Sequence, residues 1–341
     1  MSIVFLIGPV LSMACASPGT AGAPAALRRE SGGSPLTDVG ALVHPAEIVI
    51  RNDDPPGWGL NDPRPFQPVG GNPATTLGEA RLSGARRAAQ VWASRLQSRT
   101  PIVLAVSFNH ESCREHKGLA NGGPGRLVTV FPGEHPEVGY APALANAMAG
   151  RDLNGSEPEG RIQVVAVFDD EPRCLGGAWY YGFDHPNHFS QYGLDYVSVL
   201  FHEIGHSLGF SSYMEEDGGA LSAFDLHVYD ETLGKAWPDL TSSQRKDAAA
   251  KKHNVTWNGP STNAAAVFYP FAATNGHLRL DVPNGHLSHW EGETTGGYVG
   301  LTMSGSRTNE VRSDHLDVTP CVLQDMGWPL MPGQPCLDVA H

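Results

Sequence analysis

Two histidines four residues apart, with a glutamate beside the first, occur in His202-Glu203-Ile204-Gly205-His206. They stand in the run Asp195 to Phe210, where Leu200, Phe201, Ile204 and Leu208 recur at helical steps and form a neighbouring apolar face. On a helix, positions i and i+4 share one side a turn apart, so both imidazoles reach a single ion. A metal held there acidifies a water and polarises a carbonyl, and Glu203 is placed to take the water's proton. Residue types and spacing therefore point to metal-assisted hydrolysis with one zinc ion as the expected cofactor. Gly209 follows where the chain can leave the helix through a left-handed residue.

A hydrolytic zinc needs three protein ligands and one open position. In the compact pattern HExxHxxGxxH the third His comes three residues after the Gly, but that position is Ser212 here, so the ligand must come from farther on. His286, His289, Asp225, His227 and His277 are the candidates, and Asp225 is also a candidate to orient a ligand His through a hydrogen bond.

The motif order resembles the leishmanolysin-like branch of the metzincins, as a bacterial-type exported member. In that branch a long insertion separates HExxHxxG from a third His in a His-Trp-Glu context, with a Met shortly after it. This chain has Leu287-Ser288-His289-Trp290-Glu291 and then Leu301-Thr302-Met303. The resemblance implies that His289 is the third ligand and Met303 the Met-turn residue packed beneath the metal. Leu316 to Thr319 with Leu323 to Trp328 looks like the family's C-terminal helix, and Gly177 to Gly182 is similar to a stretch of bacterial exported members. The likeness runs roughly from Thr76 to Trp328 and is specific only in the HExxHxxG block. It implies an α+β, metzincin-like fold: a mixed β-sheet, an active-site helix and a loop-rich C-terminal subdomain. The activity it implies is zinc-dependent cleavage of protein or peptide substrates, with an extended substrate paired to an edge strand near Val164 to Phe168.

Several elements have to position these residues. Leu82, Ala85, Ala88, Ala89, Trp92 and Leu96 recur at three- and four-residue steps after Thr76, predicting an amphipathic helix that ends near Gln97-Ser98. Ile102 to Phe108 and Arg161 to Phe168 read as strands, and Asn121 to Gly125 between them reads as loop. Within the insertion only Ser242 to Lys252 reads as helix; the rest is turn-rich. The tail from Leu316 to Trp328 reads as a short helix closed by Gly327, with prolines at 329, 332 and 335 preventing regular structure beyond it.

With 36 acidic residues against 23 Lys and Arg the net charge is -13, which argues against nucleic acid as a partner. Ile3 to Ile7, Val10 and Leu11 precede the small-x-small pattern Ala14-Cys15-Ala16, read as a signal peptide over 1–16. An Ala/Gly/Ser/Pro-rich leader or pro-segment over 17–45 follows, then an N-terminal catalytic subdomain over 46–211 and a C-terminal subdomain over 212–341. The expected product is a secreted monomer without a transmembrane anchor. Removing the signal leaves Cys113, Cys174, Cys321 and Cys336, for which three pairings exist; Cys113 with Cys174 and Cys321 with Cys336 are favoured. Asp169-Asp170 and Glu215-Glu216 are weak candidates for calcium against a solvated-surface reading, and Asn154 and Asn254 head glycosylation sequons. The competing reading is an exported binding or adhesion protein with a structural zinc site, which needs a fourth ligand and leaves Glu203 without a task.

Overall fold

The structure is a computed structural model describing residues 43–115, 118–129, 137–171, 174, 177–184, 194–282, 287–291, 301–305 and 316–337. The expected signal peptide, most of the expected leader and the alternative ligand His286 lie outside them.

Apolar, β-branched sequence makes strands of Ile48–Asn52 (β1) and Ile102–Asn109 (β2), joined through the helix Leu77–Ala93 (α1). Thr76 and Glu79 close a capping box at its start, and Ala85, Ala88, Ala89 and Trp92 form its buried side. The short segment Ala120–Gly123 (β3), the helix Pro142–Ala149 (α2) and the strand Gly160–Val165 (β4) complete a four-stranded sheet ordered β1-β2-β4-β3. β2 pairs in parallel with both β1 and β4, whereas β3 runs antiparallel to β4 and forms the edge.

Two expectations are corrected by this sheet. Asn121-Gly122-Gly123, expected as loop, is part of the edge strand; it pairs through its backbone, which needs no β-forming side chains. The strand expected over Arg161 to Phe168 stops at Val165 and turns into the short helix Val167–Asp170 (α3). Phe168 is buried there and Asp169 is drawn to Arg81 (2.7 Å) and the Tyr181 hydroxyl (2.7 Å). β4 is consequently interior to a sheet whose edges are β1 and β3, so the edge expected near Val164 to Phe168 is replaced by β4's outer neighbour β3.

Trp179–Tyr180 (β5) and Leu194–Asp195 (β6) pair in parallel and lead into Tyr196–Ser207 (α4), the helix of the HExxH residues. Every residue of α4 is buried. The insertion then folds around strands too short to show any periodicity in sequence. Met214–Glu215 (β7) and Gly218–Gly219 (β8) make a hairpin; Val228–Asp230 (β9) and Lys235–Ala236 (β10) precede the helix Ser242–Ala249 (α5). Val255–Trp257 (β11), the helix Pro260–Ala265 (α6), Ala273–Thr274 (β12) and His277–Arg279 (β13) follow. They form an antiparallel sheet ordered β10-β9-β11-β13-β12, where sequence suggested turns. The C-terminal helix expected over Leu316 to Trp328 is confined to Thr319–Asp325 (α7), followed by Gly327 with φ +105°. The architecture is thus α+β with several sheets and, among the described residues, seven α-helices.

The favoured cysteine pairs are the ones present: Cys113 bonds Cys174 across 61 residues, and Cys321 bonds Cys336 across 15. Closing a loop of about 15 residues stabilises a fold by roughly 3 kcal/mol in the chain-entropy picture. Asp169 and Asp170 are engaged by Arg81 and Arg64 respectively, which leaves them poorly placed for calcium. Asn154 and Asn254 are both buried with their amides donating to the carbonyls of Glu157 and Ala248, so neither sequon is presented by this fold. Among the described residues no helix is long and apolar enough to cross a membrane.

Candidate metal centre

The helix α4 is fixed at both ends and along its length. Asp195 caps it by accepting from the Ser198 amide at 2.9 Å, and the Trp92 indole of α1 donates to the Phe201 carbonyl at 3.0 Å. At its exit Gly209 has φ +118°, a backbone conformation that a side chain would strain, and the chain turns so that Phe210 N bonds Gly205 O at 3.1 Å. The Trp328 indole then secures the Leu208 carbonyl at 2.9 Å.

Three imidazoles converge beside this helix. The Nε2 atoms of His202 and His206 are 3.0 Å apart, and His289 Nε2 lies 3.2 Å from the first and 3.3 Å from the second. His202 Nδ1 faces the Thr302 carbonyl at 2.8 Å, and His206 Nδ1 faces the Phe210 carbonyl at 2.7 Å. A carbonyl only accepts, so each Nδ1 carries a proton, and Nε2 is the atom each ring has left to offer a metal as a lone pair. Lone pairs this close repel unless a cation sits among them. Ligand nitrogens about 2.0–2.1 Å from a tetrahedral ion stand about 3.3 Å apart, close to the separations found. The arrangement therefore fits a metal ion, and among the described residues the group has these three members.

His289 arrives from 83 residues beyond His206 because the insertion is tied back at its base. Ser212 N donates to Ser288 Oγ at 3.0 Å, which joins the helix exit to the residue preceding His289. On the other side Trp290 N donates to Met303 O at 2.8 Å, and Trp290 is fully buried against Phe210. The remaining candidates do other work. Asp225 is buried and accepts from Ser212 Oγ (2.5 Å), Ser222 Oγ (2.6 Å) and two backbone amides, so it braces the loop after the helix and does not orient a ligand His by any bond seen. Burial raises its carboxyl above the usual range, against the pull of those donors. His227 stacks on Trp257 and His277 pairs with Glu231 at 2.6 Å, both outside the metal-binding group.

Met303 is fully buried under the centre. A Cβ added at Gly205, between His202 and His206, would run into Met303 Sδ and come within 3.5 Å of Trp92. The turn carrying Met303 closes through Ser304 N to Leu301 O at 3.0 Å. It also hangs from Asp317, whose carboxylate accepts from Thr302 N and from Thr319 N (2.7 Å). Burial pushes the Asp317 carboxyl up to about 6 despite those donors. The Gly205→Ala substitution should consequently lower the thermal midpoint: overpacking of about 1–3 kcal/mol exceeds the ~1 kcal/mol that alanine adds to a helix. Truncation of Met303 should relieve the clash, so Gly205→Ala with Met303→Ala should be less destabilised than the two single changes summed. Simple additivity in denaturant melts would contradict the packing described.

Glu203 is 6% exposed, with β3 directly against it: a Cβ at Gly122 would fall 2.8 Å from Glu203 Cβ and 2.9 Å from Oε2. The edge strand thus runs past the helix at a distance only a residue without a side chain permits. Sequence reasoning missed β3, Thr302 and Asp317 as parts of the centre; the Gly122-Gly123 pair was the available signal for the first. No protein family, characterised protein or solved structure matches this chain.

Proposed function

We propose that the chain is an exported zinc-dependent endopeptidase of metzincin-like type. The observation that carries the reading is the convergence of three imidazole Nε2 atoms within 3.0–3.3 Å beside a buried glutamate on the same helix. His202, His206 and His289 would hold the ion. When bound, zinc supplies a Lewis acid that polarises the scissile carbonyl and lowers the pKa of a water. The Glu203 carboxylate accepts the proton of the attacking water and delivers it to the leaving amine. The β3 edge binds substrate backbone in an extended conformation, and Gly122 keeps that edge close to Glu203. Histidine ligands select zinc over calcium or magnesium, which favour oxygen. The two disulfides suit an oxidising compartment.

Among the described residues the group has three members, which suits a catalytic site, since a structural zinc is normally closed by a fourth side chain. Metal removal tests the reading. The purified chain should cleave casein, lose that activity on dialysis against a chelator, and regain it with one equivalent of zinc per chain. Cleavage that survives verified metal removal would sink the proposal, as would a folded zinc-loaded protein inert towards every unfolded substrate.

A further inference from the structure

The two ligands on α4 lean on neutral backbone carbonyls, those of Thr302 and Phe210. His289 stands in different surroundings. Beyond β13 the chain continues through Leu280, which forms an antiparallel bridge with Trp290. Flanking bonds run from Glu291 N to Arg279 O (3.0 Å) and from Asp281 N to His289 O (2.8 Å). In that register Arg279 lies opposite Glu291 and Asp281 opposite His289, and alternation puts both pairs on one face of the ribbon. The first pair is in contact, with Arg279 Nε 2.5 Å from Glu291 Oε2. Directly opposed Cβ atoms are about 4.5–5.5 Å apart, which brings a carboxylate within reach of a facing imidazole.

Gly305 supplies a second observation. A Cβ built there would lie 3.2 Å from His289 Cγ and 3.4 Å from Asp281 Oδ2, so ring and carboxylate approach the same point. The absence of a side chain at 305 leaves that point to them.

We infer that Asp281 is a positioning residue for the metal centre: its carboxylate accepts the Nδ1–H of His289 and aims Nε2 at His202 and His206. The inference rests on the reading of the three histidines as metal ligands. A carboxylate partner fixes the tautomer, orients the ring and raises the basicity of the ligating nitrogen. It is also a charge-assisted bond, stronger than those to the two carbonyls. His289 comes from a distant ribbon and lacks the rigid helix that supports the other two ligands, so it is the ligand with most to gain from such a tie.

The test is metal affinity, measured by competition with a chromophoric chelator, together with the exchangeable imidazole N–H signals of the cobalt(II)-loaded protein. Asp281→Ala should weaken zinc binding by about 10–100-fold and shift or remove one N–H signal. Asp281→Asn keeps an acceptor oxygen without the charge and should fall between parent and Asp281→Ala. It also carries the test if the alanine variant fails to fold. Unchanged affinity and unchanged N–H signals in both variants would overturn the inference while leaving the proposed function standing. A folded parent that binds neither zinc nor cobalt overturns the metal-centre reading itself, and the inference with it.

Discussion

Glu203→Gln should retain one zinc per chain and lose about 10²–10⁴-fold in kcat, the usual contribution of a positioned general base. The substitution keeps shape and volume at a site only 6% exposed, where β3 leaves no room for a larger group. It leaves the three imidazoles untouched, so metal content separates loss of chemistry from loss of the site. The expected signature is a fall in kcat with KM little changed, because the carboxylate acts on the water's proton and substrate backbone binds elsewhere. Metal retained with more than about a tenth of parental kcat would show that Glu203 is not the base. Loss of metal from a folded Glu203→Gln would instead assign it a place in holding the ion.

The helix of this site is legible because its information is local. His202, Glu203 and His206 stand within five residues, and the apolar residues 200, 201, 204 and 208 say how the helix is buried. α1, β2 and α7 are legible for the same reason, although α1 stops at Ala93, short of the expected Gln97-Ser98, and α7 covers only Thr319–Asp325 of the expected Leu316 to Trp328. Cys321 and Cys336 lie 15 residues apart and Cys113 and Cys174 lie 61 apart, and the bonds join each favoured pair.

What escapes the sequence is decided by partners. Ala-Asn-Gly-Gly has almost no β propensity, and it is a strand only because β4 offers a free edge and α4 admits no side chain at 122. Conversely, Val167 and Phe168 look like the end of a strand, but Asp169 gains a buried partner in Arg81 when the chain coils. The insertion sheet is built from strands of two or three residues, too few for alternation to register. The role of Asp225 could not be told from composition either: a lone acid near several histidines suggests a ligand partner, whereas its donors turn out to be Ser212, Tyr213 and Ser222.

His289 is the residue where local and distant information meet, and its removal is the second large effect expected. His289→Ala should reduce zinc affinity by more than ~100-fold, since loss of a partner to a ligand alone costs about 10–100-fold. Stability gives an independent readout. At free zinc 1,000 times the parental Kd, binding stabilises the parent by about 4.1 kcal/mol over its metal-free form. A hundredfold weaker variant at the same zinc gains only about 1.4 kcal/mol. The zinc-dependent rise in Tm should therefore shrink to roughly a third in His289→Ala, while the metal-free forms differ little because the ring is only partly buried. His277→Ala, in the strand that leads into the ribbon facing His289 but paired with Glu231 instead of the centre, should keep the full zinc-dependent rise. An undiminished rise in His289→Ala would mean that the third ligand comes from elsewhere, and His286 would be the first residue to replace. A diminished rise in His289→Ala alone would mean that zinc draws together α4 and a ribbon 83 residues further along the chain.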